Sequence, residues 1–154
     1  MFRSYGKGPK VAVMLLTSVL AACDAAVLGP EFDTEVDAFV RLMNDHRATV
    51  GCEPLNWIGE VAEVAQAHSV DMVERDFFDH TNPDGLSPFD RMELAGLQFS
   101  RGAENIAWGY ASPQDVLQGW LDSPGHRSNI ENCALTEHGV GLYQTRWTHL
   151  FRTP

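Results

Sequence analysis

Residues 120–130 read Trp-Leu-Asp-Ser-Pro-Gly-His-Arg-Ser-Asn-Ile, and this stretch contains the end of a helix. The helix starts at Ser112-Pro113, where a serine N-cap precedes a proline at the first helical position. Its apolar face consists of Val116, Leu117, Trp120 and Leu121. Ser123-Pro124 ends the helix, and His126 follows the break. Because sites are commonly built on irregular segments held by a rigid scaffold, His126 is a candidate site residue.

The pattern on either side of this stretch changes from helical to extended. Apolar residues recur at helical spacing over residues 32–49 and from Trp57 to about Arg75, and a short helix starts at Ser87-Pro88 and ends before Gly96. Residues 139–143 and 147–151 predict two strands joined by a tight turn over residues 144–146. Helices followed by strands indicate an α+β domain, with an antiparallel sheet flanked by helices.

Length and composition restrict the class of protein. The 154 residues are 44% hydrophobic and include 4 Trp, 8 Phe and 3 Tyr, which is enough for one domain with a real core and excludes a mainly disordered chain. The long uncharged apolar run, residues 11–22, has 12 residues. A helix needs about 18 or more apolar residues to cross a bilayer, so a polytopic membrane protein is also excluded.

The N-terminal region has the features of an export signal. Arg3, Lys7 and Lys10 precede the apolar run, no acidic residue does, and Leu20-Ala21-Ala22-Cys23 closes it. This pattern predicts a secretory signal peptide over residues 1–22. The four closing residues resemble the lipobox of bacterial lipoproteins, in which the cysteine becomes the first mature residue and carries acyl chains.

We therefore expect lipidation at Cys23, a tether over residues 23–31 and one domain over residues 32–154. An ordinary cleaved signal and a buried N-terminal helix are the alternatives. The expected location is periplasmic or at the cell surface, and in lipoproteins of this type an aspartate after the cysteine, here Asp24, often means retention at the inner membrane.

Charge and cysteine content bear on partners and compartment. Removal of residues 1–22 takes three basic residues and no acidic one, so the net charge moves from −10 to −13. Such a domain repels nucleic acid and anionic head groups, and only an acyl anchor would hold it at a membrane. The two remaining cysteines, Cys52 and Cys133, predict one disulfide in an oxidising compartment. Two free buried thiols are the alternative.

The chain contains one carboxylate and several histidines that merit attention as site residues. Glu104 lies in an otherwise apolar or small run, residues 102–109, and its burial requires a facing histidine or bound ion. His80 lies in a polar loop. His68 is on the apolar stripe of the second helix, where a hydrogen-bonded core histidine is expected. His138 and His149 belong to the final strands, at no spacing that suggests a metal pair.

Five motifs occur in one order along the chain. They are Ala67-His68-Ser69-x-Asp71-Met72, Phe77-Phe78-Asp79-His80, Glu104-Asn105-Ile106-Ala107, Trp120-x-x-Ser123-Pro124-Gly125-His126-Arg127-x-Asn129-Ile130 and Gly139-Val140-Gly141. Over about Val36 to Phe151 the chain closely resembles the bacterial branch of the CAP superfamily, which comprises cysteine-rich secretory proteins, antigen 5 and pathogenesis-related 1 proteins. The resemblance implies an α-β-α sandwich, with a small antiparallel sheet between helical layers and a cleft on one side.

The cleft of this family typically carries two histidines and two glutamates. The resemblance places the histidines at His80 and His126 and the first glutamate at Glu104. Ser123 stands where many eukaryotic members have the second glutamate. Asp122 is adjacent, but neighbouring residues of a helix point about 100° apart, so it does not simply substitute. The expected cleft residues are therefore His80, Glu104, Ser123 and His126.

Two interpretations of this cleft stay open. His80 and His126 could hold a divalent metal such as zinc weakly, with water at the open positions, or the same residues could form a hydrogen-bonded network without metal. A Ser123–His126 pair has no evident oxyanion hole or orienting acid, so the sequence favours a binding protein over an enzyme.

We expect a binding or scaffolding module at the bacterial cell envelope, with a lipid, glycan or protein as partner and no nucleic acid. The alternatives are a metal-dependent hydrolase of envelope peptides or glycans and an accessory subunit of a membrane complex.

Overall fold

The computed structural model describes residues 34–154. Its elements are α1 (Glu35–Thr49), β1 (Asn56–Trp57), α2 (Gly59–Glu74), α3 (Pro88–Leu94), β2 (Arg101–Trp108), α4 (Pro113–Asp122), α5 (Pro124–Ile130), β3 (Glu137–Tyr143) and β4 (Arg146–Thr153). The predicted signal peptide, the tether with Cys23 and the first two residues of the predicted domain lie outside the described residues. Within residues 34–154, no helix has the length and apolar character needed to cross a membrane.

The sheet has the strand order β1-β3-β4-β2. β4 pairs antiparallel with β3 on one side and with β2 on the other, as expected for the antiparallel sheet. β1 adds a parallel edge to β3 through Asn56 and Trp57, and a strand of two residues has no alternation from which it could be predicted. β2 was not predicted either, because two polar residues, Glu104 and Asn105, interrupt its apolar residues although both are buried.

The helix starts follow the predicted cap signals, with one correction. Ser87 and Ser112 accept hydrogen bonds from the backbone at the starts of α3 and α4, each followed by a proline. Ser123 ends α4 as predicted, but the same residue also starts α5. The prediction that His126 lies on an irregular segment is therefore wrong, since it sits in the first turn of α5. Pro124 fits the first helical position there as the prolines of α3 and α4 do.

The two faces of the sheet are covered by different helices. Along β4, Trp147 and Phe151 belong to a core cluster with Phe39 of α1 and Trp120 of α4. Leu150, which points to the opposite face, belongs to a second cluster with residues of α2 and α3. The expected sandwich, with a sheet between two helical layers, is confirmed.

Two glycines let α2 lie directly on the sheet. A Cβ at Gly139 of β3 would come within 2.1 Å of the Ala62 nitrogen, and one at Gly141 within 2.3 Å of the Gln66 nitrogen. Real Cβ atoms do not approach backbone this closely, so only glycine fits at either position. The close contact fixes the helix that carries His68.

The C-terminal end of α1 is joined to the segment after α5 by several bonds. The predicted disulfide between Cys52 and Cys133 is present, with the Cα atoms 4.9 Å apart. Arg47 is buried and donates hydrogen bonds to carbonyl oxygens at distances of 2.7–3.2 Å, those of Glu53, Ile130, Asn132 and Leu135. His46 Nε2 lies 2.9 Å from Glu131 Oε1.

Candidate functional site

Glu104 of β2 is the centre of the site. Its side chain is 1% exposed, and both carboxylate oxygens accept hydrogen bonds. Oε1 accepts from His80 Nδ1 at 2.7 Å, and Oε2 accepts from Arg91 Nη2 at 2.6 Å. The histidine expected to face this carboxylate is thus His80, and the guanidinium of Arg91 donates to the second oxygen.

Arg91 was missed by sequence reasoning. From α3, its Nη1 donates to the backbone oxygens of His80, at 2.8 Å, and Leu86, at 3.0 Å. The same guanidinium therefore holds both the buried carboxylate and the loop that carries His80. The available signal was the need of a buried carboxylate for a cation, which an arginine on a nearby short helix meets as well as a histidine does.

Two asparagines attach His126 to the same strand. Asn105, next to Glu104 and fully buried, donates from Nδ2 to the carbonyl oxygen of His126 at 3.1 Å. Asn129 of α5 donates to Asn105 Oδ1 at 2.8 Å. This pair fixes α5 against β2 beside Glu104. Both asparagines are in the quoted motifs, but no local pattern there indicates this role.

The two cleft histidines have opposite pKa shifts. The hydrogen bond from His80 to Glu104 raises the pKa of His80. Burial lowers the pKa of His126, and the neighbouring charge of His80 lowers it further. As pH falls, His80 takes up its proton first, and the cleft then has a charged donor beside a neutral acceptor.

Ser123 has a structural position at the junction of α4 and α5. Its backbone N–H donates to the Trp120 oxygen at 3.2 Å, and its own carbonyl accepts from the Arg127 nitrogen at 2.8 Å. Its hydroxyl makes no capping bond, and within residues 34–154 no hydrogen bond joins it to His126. The structure gives no support for a Ser-His pair.

His68 lies beneath the loop that carries His80. It is buried, and its Nε2 donates to the Asp79 oxygen at 3.0 Å, so the expectation of a hydrogen-bonded core histidine is confirmed. Its ring packs edge-on against Phe77. Burial lowers the pKa of His68, which keeps its ring neutral and in place.

The cleft has few side chains that could bind a metal ion. His80 uses Nδ1 for Glu104, and a histidine held by a carboxylate in this way is a common metal ligand. Zinc sites generally have three or four protein ligands, however, and both Glu104 oxygens already accept hydrogen bonds from His80 and Arg91. Among the described residues no group of three or more His, Cys, Asp or Glu side chains is arranged to hold a metal ion. As metal ligands the cleft therefore supplies two imidazole rings, and water would have to fill the other positions.

A second pair of histidines was missed by sequence reasoning. Nδ1 of His138 and Nε2 of His149 lie 3.0 Å apart on neighbouring strands, and both rings are fully buried. Phe39 and Trp120 pack around His149. Burial, then the positive charge of Arg47, lowers the pKa of His138 to about 4, and burial holds that of His149 well below its ordinary value. This pair belongs to the core and is separate from the cleft.

Comparisons with known proteins agree on the fold and the family. The model of the cysteine-rich secretory protein family (CAP) matches residues 40–149. The uncharacterized protein YkwD of Bacillus subtilis is 39% identical over 114 residues, which are 73% of this chain and 44% of YkwD. The uncharacterized membrane protein YlbC of the same organism is 37% identical over 110 residues, 71% of this chain and 32% of YlbC. The chain thus spans less than half the length of either relative.

Two solved structures share the architecture. An extracellular protein containing an SCP domain from Bacillus anthracis is 33% identical, with a TM-score of 0.76 over 78% of this chain and 40% of that one. An outer surface protein of Borrelia burgdorferi, 20% identical, has the same fold, with a TM-score of 0.73 over 77% of this chain and 92% of that one. Together with the matched motifs, these findings show that the chain belongs to the cysteine-rich secretory protein (CAP) family.

Proposed function

We propose that this chain is an exported protein, anchored at the bacterial cell envelope through acyl chains on Cys23, whose CAP domain binds an envelope ligand in the cleft of His80, Glu104 and His126. Its relatives support export, since one is described as extracellular and another as an outer surface protein. The disulfide is also typical of an oxidising compartment.

The observation that carries a binding role is the burial of Glu104 between two donors. A carboxylate that activates water must be reached by that water, and the Glu104 side chain is 1% exposed. Here both oxygens accept hydrogen bonds, from His80 and from Arg91, at 2.7 and 2.6 Å. The carboxylate therefore orients His80 and does not act as a base, so the cleft is suited to holding a ligand without turnover.

The cleft histidines define what such a ligand must offer. His80 donates and, with its raised pKa, carries a charge over a wider pH range than an ordinary histidine, while His126 with its lowered pKa accepts. A ligand with an acceptor and a donor close together, as in the hydroxyl, amide and carboxyl groups of envelope glycans and peptides, matches both. The net charge of −10 disfavours nucleic acid.

Co-sedimentation tests this proposal. The purified protein, with Cys23→Ser to remove the acyl anchor, is spun with peptidoglycan sacculi and, separately, with phospholipid vesicles. His80→Gln and His126→Gln should each weaken binding to one particle by about tenfold, the loss of one charge-assisted or neutral hydrogen bond. His46→Gln is the control, because His46 is bonded to Glu131 away from the cleft. Equal binding by all variants, or no binding of the natural protein to either particle, contradicts the proposal.

A metal-dependent hydrolase is the second candidate, and the opposite pKa shifts of His80 and His126 favour it, since such a pair can divide acid and base roles. Calorimetric titration with zinc tests it, beside the His80→Ala/His126→Ala double variant and a dye-release assay on labelled sacculi. Saturable binding that tightens from pH 6 to pH 8 and disappears in the double variant supports a cleft metal, because protons compete for imidazole. Equal binding by both proteins contradicts it.

A further inference from the structure

Two exposed aromatic side chains lie close in sequence to residues of the cleft. Trp108 at the end of β2 is 58% exposed, and Phe78 is 45% exposed, with the ring centroids 6.2 Å apart. Phe78 precedes His80 by two residues, and Trp108 lies on the same face of β2 as Glu104, four residues further on. Exposed aromatic surface next to polar groups is typical of an interaction site.

Arg146 lies against the Trp108 ring. The two residues are directly opposite in the pairing of β2 and β4, and the guanidinium carbon is 3.7 Å from the ring centroid. The stack covers the flat face of the guanidinium. Its N–H donors lie in the plane of that group and stay available to an acceptor.

This guanidinium lacks an anion. Arg146 is 9% exposed, and within residues 34–154 its side chain makes no ion pair or hydrogen bond; its Nε is buried without a partner. A guanidinium with this little exposure is stabilised further when an opposite charge or several acceptors face its N–H donors, and the ring of Trp108 supplies neither. The arrangement is that of a donor site in need of an acidic group.

A third aromatic ring extends the surface. Tyr143 of β3 is opposite Arg146 in the pairing of β3 and β4, and it is exposed. Tyr143, Arg146 and Trp108 therefore form a row across one end of the sheet, with Phe78 beside Trp108. We call these four residues the aromatic–arginine surface.

We propose that the aromatic–arginine surface binds an acidic glycan, with a sugar ring stacked on Trp108 and a carboxylate of the sugar accepting hydrogen bonds from Arg146. The electron-rich ring face attracts the C–H groups of a sugar, and the guanidinium matches a carboxylate in shape and charge. The chain has a net charge of −10, so long-range attraction does not bring an acidic polymer to it, and recognition depends on the contact with Arg146.

This inference rests on the proposed function and deepens it, because it names the ligand class for the face that contains the cleft. A phospholipid surface fits less well. Apolar acyl chains cannot accept hydrogen bonds from Arg146, and the negative charge of the rest of the chain would repel the anionic head groups of a bilayer.

Two matched oligosaccharides test the inference on the purified full-length protein. One is the tetramer of alternating N-acetylglucosamine and N-acetylmuramic acid with free lactyl carboxylates, and the other is the neutral tetramer of N-acetylglucosamine. Calorimetry should show the acidic tetramer binding about tenfold or more tightly than the neutral one, the effect of one charge-assisted pair. Tryptophan fluorescence should change on binding.

The variants separate stacking from charge. Trp108→Ala should weaken binding of both tetramers, and Arg146→Gln should remove the preference for the acidic one. Arg146→Lys, which keeps the charge and loses the planar donor group, should retain part of the preference and serves if the glutamine variant does not fold. Trp57→Phe is the control, since Trp57 is 45% exposed on β1 at the opposite edge of the sheet.

Equal affinity for the two tetramers, no binding of either, or an equal loss in the Trp57 variant overturns the inference. The cleft is tested separately with the same ligand. If His80→Gln and His126→Gln bind the acidic tetramer normally while Trp108→Ala does not, the aromatic–arginine surface stands and the cleft proposal fails.

Discussion

Mild acid should destabilise this domain through the buried histidine pair. His138 and His149 are neutral in the folded protein, packed among aromatic rings and near Arg47. In the unfolded chain both rings take up protons at the ordinary histidine pKa of about 6.5. A group whose pKa is lowered by folding binds a proton more readily in the unfolded chain, so it favours the unfolded state once the pH falls below its pKa there. The contribution of this pair to the free energy of unfolding is therefore complete above about pH 6.5 and decreases below it.

The size of the effect follows from His138. Its pKa falls from 6.5 to about 4 on folding. Between pH 7 and pH 5 this difference removes about 2 kcal/mol from the free energy of unfolding, and protonation of the unfolded chain at His149 adds to the loss in the same direction. A domain of this size typically has roughly 5–15 kcal/mol of stability, so the change is a sizeable part of the total.

Urea unfolding at pH 7 and pH 5 measures this loss. His138→Asn keeps a polar nitrogen near the position of Nδ1 and does not titrate. Between pH 7 and pH 5 the free energy of unfolding of this variant should therefore fall by about 2 kcal/mol less than that of the natural protein. Val140→Ala is the matched control. Val140 is buried on the same strand, and its truncation should lower stability at both pH values without changing the difference.

An equal pH dependence in the His138→Asn variant and the natural protein would refute the reasoning. It would mean either that folding does not lower the pKa of His138, or that the folded core takes up a proton at this pair without opening.

Three further outcomes are expected. Glu104→Gln removes the charge that raises the pKa of His80, so an NMR titration of the His80 ring should show a lower pKa than in the natural protein; an unchanged value contradicts the assignment. Gly141→Ala should cost about 3 kcal/mol in urea unfolding because its Cβ meets the α2 backbone, whereas Gly59→Ala, with no atom within 4 Å of its Cβ, should cost nothing. Reduction of the disulfide should lower the free energy of unfolding by about 2–4 kcal/mol, checked by urea unfolding with and without reductant.

The fold could be predicted from the sequence where local signals agree with packing. The Ser-Pro starts of α3 and α4 are such cases, and so are the apolar runs of β3 and β4 on either side of a tight turn. β2 was not predicted, because it contains Glu104 and Asn105, whose burial depends on partners elsewhere in the chain. α5 was missed because Ser123-Pro124 was interpreted only as the end of a helix, whereas the structure shows that Ser123 ends one helix and begins the next.

One contact of the candidate site was predicted. Glu104, in its apolar run, was expected to face a histidine or a bound ion, and His80 is the histidine that contacts it. Arg91, Arg146 and the pair His138 and His149 were not predicted, because their roles depend on partners distant in sequence. Such contacts follow from strand register and helix packing, which no short segment encodes.

The bonds at the end of α1 have a consequence for how the chain matures. Three cysteines are present in the sequence, so three pairings are open to an unfolded chain in which all of them are free. Arg47 and His46 bond to the segment around Cys133 without any covalent link, on the same side of the domain as the disulfide between Cys52 and Cys133. We expect these contacts to favour that pairing over the other two before the cysteines are oxidised.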